Sequence, residues 1–186
     1  LLIARLLSKE DAELTNVVIM GMGEPFHNYA AVLDAIDKLN NPDGFAMGER
    51  RFTISTVGLV PQILEFARQK RQVNLAISLH AANDELRASL IPINRQYPLA
   101  QLIQACKEYV DATHRRITFE WALIHGKNDS DRDARQLVNL IRGLNCHVNI
   151  IPLNPTRGFN GTASNFDRVA SFKKILDSSG IPCTVR

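Results

Sequence analysis

Six short runs rich in apolar and β-branched residues recur along the chain, and each of the five intervals between them is long enough to hold a helix. The runs are NVVIMGM (16–22), RFTISTV (51–57), NLAISLH (74–80), ITFEWALI (117–124), HVNIIPL (147–153) and the closing CTVR (183–186). Strands separated in this way cannot pair through tight hairpins, so the expected sheet is parallel with crossover helices. That leaves an open doubly wound sheet or a (β/α) barrel. Runs such as VVIM and NIIPL are apolar at consecutive positions, the pattern of strands covered on both faces.

The intervening segments carry helical periodicity. Val32, Ala35, Ile36 and Leu39 define one apolar stripe, and Leu99, Leu102, Ile103, Cys106 and Val110 define another. LLIARLLSKEDAEL (1–14) reads as part of an amphipathic helix. Ser130 with Asp133 and Ser164 with Asp167 have capping-box spacing. Pro61 and Pro98 stand where helices begin, and Gly180 where one ends. The chain opens in mid-helix and closes on a strand, so both ends are expected to be truncations of one larger domain.

In either parallel architecture ligands bind at the carboxyl ends of the strands. Those ends hold Gly21 to Pro25, Ser55 to Gly58, Ser78 to His80, Ile124 to Gly126, and Asn154 with Pro155. Glycines admit a ligand close to the main chain, hydroxyls and an amide donate and accept, and Glu24 brings a negative charge. Together they suit a zwitterionic, hydroxyl-bearing small molecule with Glu24 at its cationic end. Each residue also has a plain structural reading: Ser55 and Thr56 as strand-exit partners of the backbone, His80 as a loop histidine, Asn154 as a turn former.

Other chemistries are not supported. GMGEP is neither a dinucleotide fingerprint nor a Walker A loop, no serine-hydrolase elbow or HExxH pair occurs, and no lysine stands on a candidate strand. Three cysteines, Cys106, Cys146 and Cys183, are widely spaced and fit neither a disulfide framework nor a metal cluster. With 22 Lys and Arg against 19 Asp and Glu, the net charge of +3 permits an anionic partner without requiring one. No run approaches the roughly 18 to 20 apolar residues of a membrane span and no signal sequence opens the chain, so a cytoplasmic location is the default.

VVIMGMGEPFHNY, RRFTISTVGLVPQI, LAISLHAANDELRASLIPINRQYP, RRITFEWALIHGKNDS, HVNIIPLNP and TVR resemble, in this order, the radical S-adenosylmethionine methyltransferases of the RlmN/Cfr family. The resemblance runs from about Asn16 to Arg186. It implies a partial (β/α) barrel of the radical SAM type, truncated at both ends, with residues 1–186 forming its central and C-terminal part. It implies an enzyme that, when complete, methylates C2 of an adenine in 23S rRNA and in tRNA. GMGEPFHN and ISTVGLVP are closer to the RlmN branch than to the branch that methylates C8. A non-catalytic half-barrel that keeps only the ligand pocket is the alternative from another class.

The resemblance also implies residue roles. Gly23 and Glu24 fall on the motif that holds the aminoacyl end of S-adenosylmethionine; Ser55, the stretch Ser78, Leu79 and His80, and Asn154 match the remaining cofactor contacts. Arg95, in the Ile91 to Pro98 loop with Asn94, is a candidate RNA contact or a loop brace. The family's CxxxCxxC motif, whose thiolates bind a 4Fe-4S cluster, and its relay cysteine have no counterpart in Cys106, Cys146 or Cys183. This stretch is therefore expected to supply no cluster ligand and no catalytic residue, and to be inactive alone. A reductant, RNA and a monomeric whole protein complete the implied setting.

Overall fold

The computed structural model describes residues 14–154 and 160–186. The opening helix expected over 1–14, apart from Leu14, and the expected turn at Pro155 lie outside them. Among the described residues six strands form one sheet: β1 (Val17–Ile19), β2 (Phe52–Thr56), β3 (Asn74–Ser78), β4 (Ile117–Leu123), β5 (Cys146–Pro152) and β6 (Cys183–Val185). Every neighbouring pair is parallel and the spatial order is the chain order. A doubly wound sheet reverses its strand order at a switch point. Here the order never reverses, and β1 does not pair with β6, so the architecture is an open partial barrel.

The helices are α1 (Tyr29–Asn40), α2 (Val60–Arg68), α3 (Asp84–Leu90), α4 (Leu99–Thr113), α5 (Asp131–Leu140) and α6 (Phe166–Ser178). Among the described residues none is long and apolar enough to cross a membrane. They cover one side of the sheet. Phe52 and Ile54 of β2, Leu75 and Ile77 of β3, Phe119 and Trp121 of β4 and Val148 and Ile150 of β5 are fully buried in one cluster with Ile63, Phe66, Leu102, Cys106, Leu137 and Phe172. Phe66 stacks on Tyr109 at 6.1 Å and Trp121 meets Phe172 at 5.5 Å. Full burial of such a side chain contributes roughly 1.5–3 kcal/mol.

The opposite face keeps the expected apolar residues of VVIM and NIIPL, at Val18 and Ile151, but is small and polar along most of the sheet. Besides those two it carries Thr53 and Ser55, then Asn74, Ala76 and Ser78, then Thr118, Glu120 and Ala122, then His147 and Asn149, then Thr184. Parallel register aligns Ser78, Glu120, Asn149 and Thr184 into one row across four strands. Alternation at period two is thus present, with small and polar groups hidden between larger apolar neighbours.

Helix boundaries follow local chemistry. Ser130 and Asp133 form the expected capping box of α5. Ser164 is not the cap of α6: Asn165 caps it, accepting the Arg168 amide, while the Ser164 hydroxyl donates to Asp129 at 2.8 Å. Asn165 takes the extended conformation that a cap requires, one residue later than the spacing suggested. Pro61 lies in the first turn of α2, whereas Pro98 is the residue preceding the first turn of α4. In α1 the buried positions are Leu33 and Ile36, and Ala35 faces solvent.

Candidate active site

β1 ends in a turn that two glycines make possible. Gly21 and Gly23 have φ of +114° and +88°, a region that side-chain-bearing residues rarely adopt, and among the described residues the space around both is open. The turn delivers Glu24 to the neighbouring strand exit. Its Oε1 accepts the Phe26 amide at 3.0 Å, capping the short turn Pro25–Asn28, and its Oε2 accepts the Val57 amide at 2.8 Å. A carboxylate has about four acceptor positions. Two backbone bonds therefore fix Glu24 in place and leave acceptor capacity for a cation.

The β3 exit carries Ser78, Leu79 and His80. Ser78 stands on the polar face. The Leu79 side chain is fully buried on the helix side, and its amide and carbonyl bond Glu120 O and Arg87 Nε at 3.0 and 3.1 Å. Leu79 shapes the exit from behind rather than offering a side chain to it. His80 has φ +58°, and its Nδ1 accepts the Ala122 amide at 3.0 Å. Burial, reinforced by the nearby Arg87 charge, pulls its pKa down to about 4. The ring is neutral near pH 7 with its proton on Nε2.

Asn128, which sequence reasoning missed, organises the β4 exit. It is fully buried; Oδ1 accepts the Ile124 amide at 2.7 Å, and Nδ2 donates to Ala122 O and His80 O at 2.7 and 2.8 Å. The GKND turn was visible, but nothing local marks this asparagine as a bridge between strands. Beyond it, Asp129 accepts the Gly126 amide and the Ser164 hydroxyl. A cavity of about 710 Å³ opens here, lined in part by Asn83, His125, Asp129, Arg132 and Arg168 and by none of the sequence-selected cofactor residues.

Two further buried groups escaped the sequence reading. Glu120 lies 5% exposed in the middle of the polar row; Oε1 accepts the Asn149 amide at 2.9 Å and Oε2 has no partner among the described residues. Burial raises its pKa. It borders a second cavity of about 490 Å³ toward the amino ends of the strands, shared with Asn74, Arg115, Asn149 and Arg186. Arg87 of α3 is the other.

The structure therefore brings Gly23, Glu24, Ser55, Ser78 and His80 to adjoining exits of β1, β2 and β3. Asn154 is exposed just past β5, following Leu153, whose amide bonds Leu123 O at 3.2 Å. The expected Ile91 to Pro98 loop is in part a 3-10 turn, Pro92–Arg95. Arg95 is exposed, whereas Asn94 is buried and hydrogen-bonded to Arg87 and Asp84, which gives it a structural part. Cys106 and Cys146 are buried, and Cys183 is half-buried. Burial lifts Cys146 to about 11 and, with Asp177 adding to it, Cys183 to about 12.

The sequence profile of the radical SAM superfamily matches residues 2–138. This chain belongs to that superfamily. The radical SAM chain is 52% identical over 180 residues to a probable dual-specificity RNA methyltransferase RlmN of Thermoanaerobacter sp. (strain X514), covering 97% of the chain and 53% of that relative. It is 47% identical over 182 residues to the dual-specificity RNA methyltransferase RlmN 1 of Myxococcus xanthus, covering 98% and 51%. A crystal structure of a radical SAM methyltransferase from Sphaerobacter thermophilus superposes with a TM-score of 0.95 at 52% identity, covering 98% of this chain and 54% of that one. A domain of a pyruvate-formate lyase-activating enzyme from Bacteroides vulgatus shares the fold, with a TM-score of 0.70 at 14% identity. The radical SAM chain spans about half the length of the curated relatives it matches.

Membership implies S-adenosylmethionine and an iron-sulfur cluster, and the residues treat the two differently. The open glycine turn and the anchored Glu24 carboxylate fit an aminoacyl ammonium. For the cluster there is no fit: no group of three or more His, Cys, Asp or Glu suited to a metal exists among the described residues.

Proposed function

We propose that this chain is the central and C-terminal part of a radical SAM RNA methyltransferase, and that the whole protein methylates C2 of adenine in 23S rRNA and tRNA. The observation that carries the reading is the Glu24 bracket, a carboxylate held by two backbone amides beside two open glycines, in a chain about half identical to proteins named RlmN.

Glu24 accepts from the ammonium of S-adenosylmethionine, and Gly23 lets the aminoacyl end approach the main chain. Ser55 and Ser78 offer hydroxyls from the polar face. His80 donates from Nε2 to an acceptor on the cofactor, since Nδ1 is already engaged. Leu79 acts through packing behind the exit, and Asn154 closes the site from β5. When bound, the sulfonium supplies a methyl group and a reductively cleavable carbon–sulfur bond. An adenine C2–H is not acidic, so ordinary nucleophilic methylation there is hard and a radical route is needed. Arg95, exposed on its turn, meets RNA phosphate or base. The reading entails a cytoplasmic, monomeric whole protein that draws electrons from a reductant and carries its 4Fe-4S cluster on other residues.

Calorimetry on the full-length protein tests the pocket. Glu24→Gln is expected to weaken S-adenosylmethionine binding at least tenfold, and equal affinities remove Glu24 from the site. Methylation of 23S rRNA and tRNA transcripts tests the reaction; product at a position other than adenine C2 overturns it.

A further inference from the structure

Arginine is almost never fully buried without a paired anion. Arg87 is fully buried, and the four hydrogen bonds its side chain donates among the described residues all end on neutral oxygens. Nη2 donates to Val57 O at 2.7 Å and Ser78 O at 3.0 Å, Nε donates to Leu79 O at 3.1 Å, and Nη1 donates to Asn94 Oδ1 at 2.9 Å. Burial lowers its pKa to about 10, which leaves it charged near neutrality. Apolar side chains fill such a volume without the desolvation cost of an ion.

Three of the four acceptors are strand-exit carbonyls. Val57 is held from both sides: its amide donates to Glu24 and its carbonyl accepts from Arg87. Ser78 and Leu79 are held by the same guanidinium. A planar fork can serve several carbonyls at set angles, which a lysine ammonium cannot reproduce. The main chain also closes tightly on it, because a Cβ placed on Gly58, at φ +106°, would meet Arg87 Nη2 at 3.4 Å and Leu102 Cδ1 at 3.0 Å. The fork is itself oriented. Asn94 turns its oxygen to Arg87 because its Nδ2 donates to Asp84 Oδ1 at 2.8 Å, and Asp84 also accepts the Leu99 amide at 2.8 Å.

We infer that Arg87 is a positioning residue of the S-adenosylmethionine pocket: by clamping the carbonyls of Val57, Ser78 and Leu79 it sets the spacing of the β2 and β3 exits and, through Val57, the seat of Glu24. This rests on the function proposed above. Fully buried, Arg87 acts through the backbone it holds.

Two readouts in the full-length protein test it, using Arg87→Lys and, as a milder change that keeps the guanidinium, Asn94→Ala. The first is amide exchange at Val57 relative to Ile54 in the same strand, and the second is S-adenosylmethionine affinity. Arg87→Lys is expected to speed Val57 exchange at least tenfold while Ile54 holds, and to weaken binding at least tenfold. Asn94→Ala is expected to move both readouts about threefold in the same direction, and decides the matter if Arg87→Lys does not fold. Equal acceleration at Val57 and Ile54, or binding within twofold of wild type, overturns the positioning role. Absence of binding in the wild type refutes the proposed function alone; the exchange ratio then decides whether Arg87 seats Glu24.

Discussion

His80 and Ala122 are joined across strands: the imidazole Nδ1 accepts the Ala122 amide at 3.0 Å. The bond selects the Nε2–H tautomer and makes the ring a donor rather than a base. With a folded pKa of about 4, below the ordinary 6.5, protonation favours the unfolded chain. The stability His80 contributes is present above pH 6.5 and is lost as pH falls through 4, by on the order of 3 kcal/mol. Nitrogen chemical shifts are expected to report a neutral Nε2–H ring at pH 5. An imidazolium at that pH would refute the assignment.

Glu120 has the opposite pH signature. Burial raises its carboxyl pKa in the fold, so its contribution to stability is present below the ordinary carboxylate range and declines as pH rises through the folded value. Glu120→Gln keeps the acceptor used by Asn149 and removes the buried charge. The substitution is expected to raise the thermal midpoint at pH 8, with the gain vanishing near pH 4. Thermal melts of both proteins across that range measure it.

Asn128→Ala strips three hydrogen bonds from the β3 and β4 exits and leaves the Ile124 amide and the His80 and Ala122 carbonyls short of their partner. Unmade bonds at buried groups cost roughly 1–3 kcal/mol each where water cannot replace the partner. Urea denaturation is expected to show a loss of about 3 kcal/mol.

The two serines with capping-box spacing are expected to separate. Ser130→Ala removes a cap and should cost about 1 kcal/mol. Asn165→Ala should cost about the same, because Asn165 and not Ser164 caps α6. Ser164→Ala should instead loosen Asp129, speeding exchange at the Gly126 amide that Asp129 accepts.

The strand runs and helical stripes made the parallel α/β layout legible because their periodicities are set within a few residues. The strand-end rule points to Glu24, Ser55, Ser78 and His80 from the sequence alone. What stayed hidden depends on distant partners. Glu120 sits inside TFEWAL, where two large apolar neighbours mask the alternation, and its register with Ser78 and Asn149 exists only once β3, β4 and β5 are paired. Arg87 sits in NDELRASL, which reads as a solvated charged helix; its burial comes from carbonyls 8 to 30 positions away. The doubly wound alternative fell to strand order, which no local pattern encodes.

The one-sided sheet has a consequence for how such a chain tolerates change. Within a strand, odd and even positions have separate duties, so a substitution at Thr53, Ser55 or Thr118 alters the polar face and leaves the helix-side core intact. Inserting or deleting a single residue inside β4 does something else: it exchanges the parity, turning Trp121 and Phe119 outward and driving Glu120 and Thr118 into the apolar cluster. Drift by substitution can retune the polar face one residue at a time, while length changes are confined to the connections between elements. The spacing within each strand is thus more tightly constrained than the identity of most residues on its polar side.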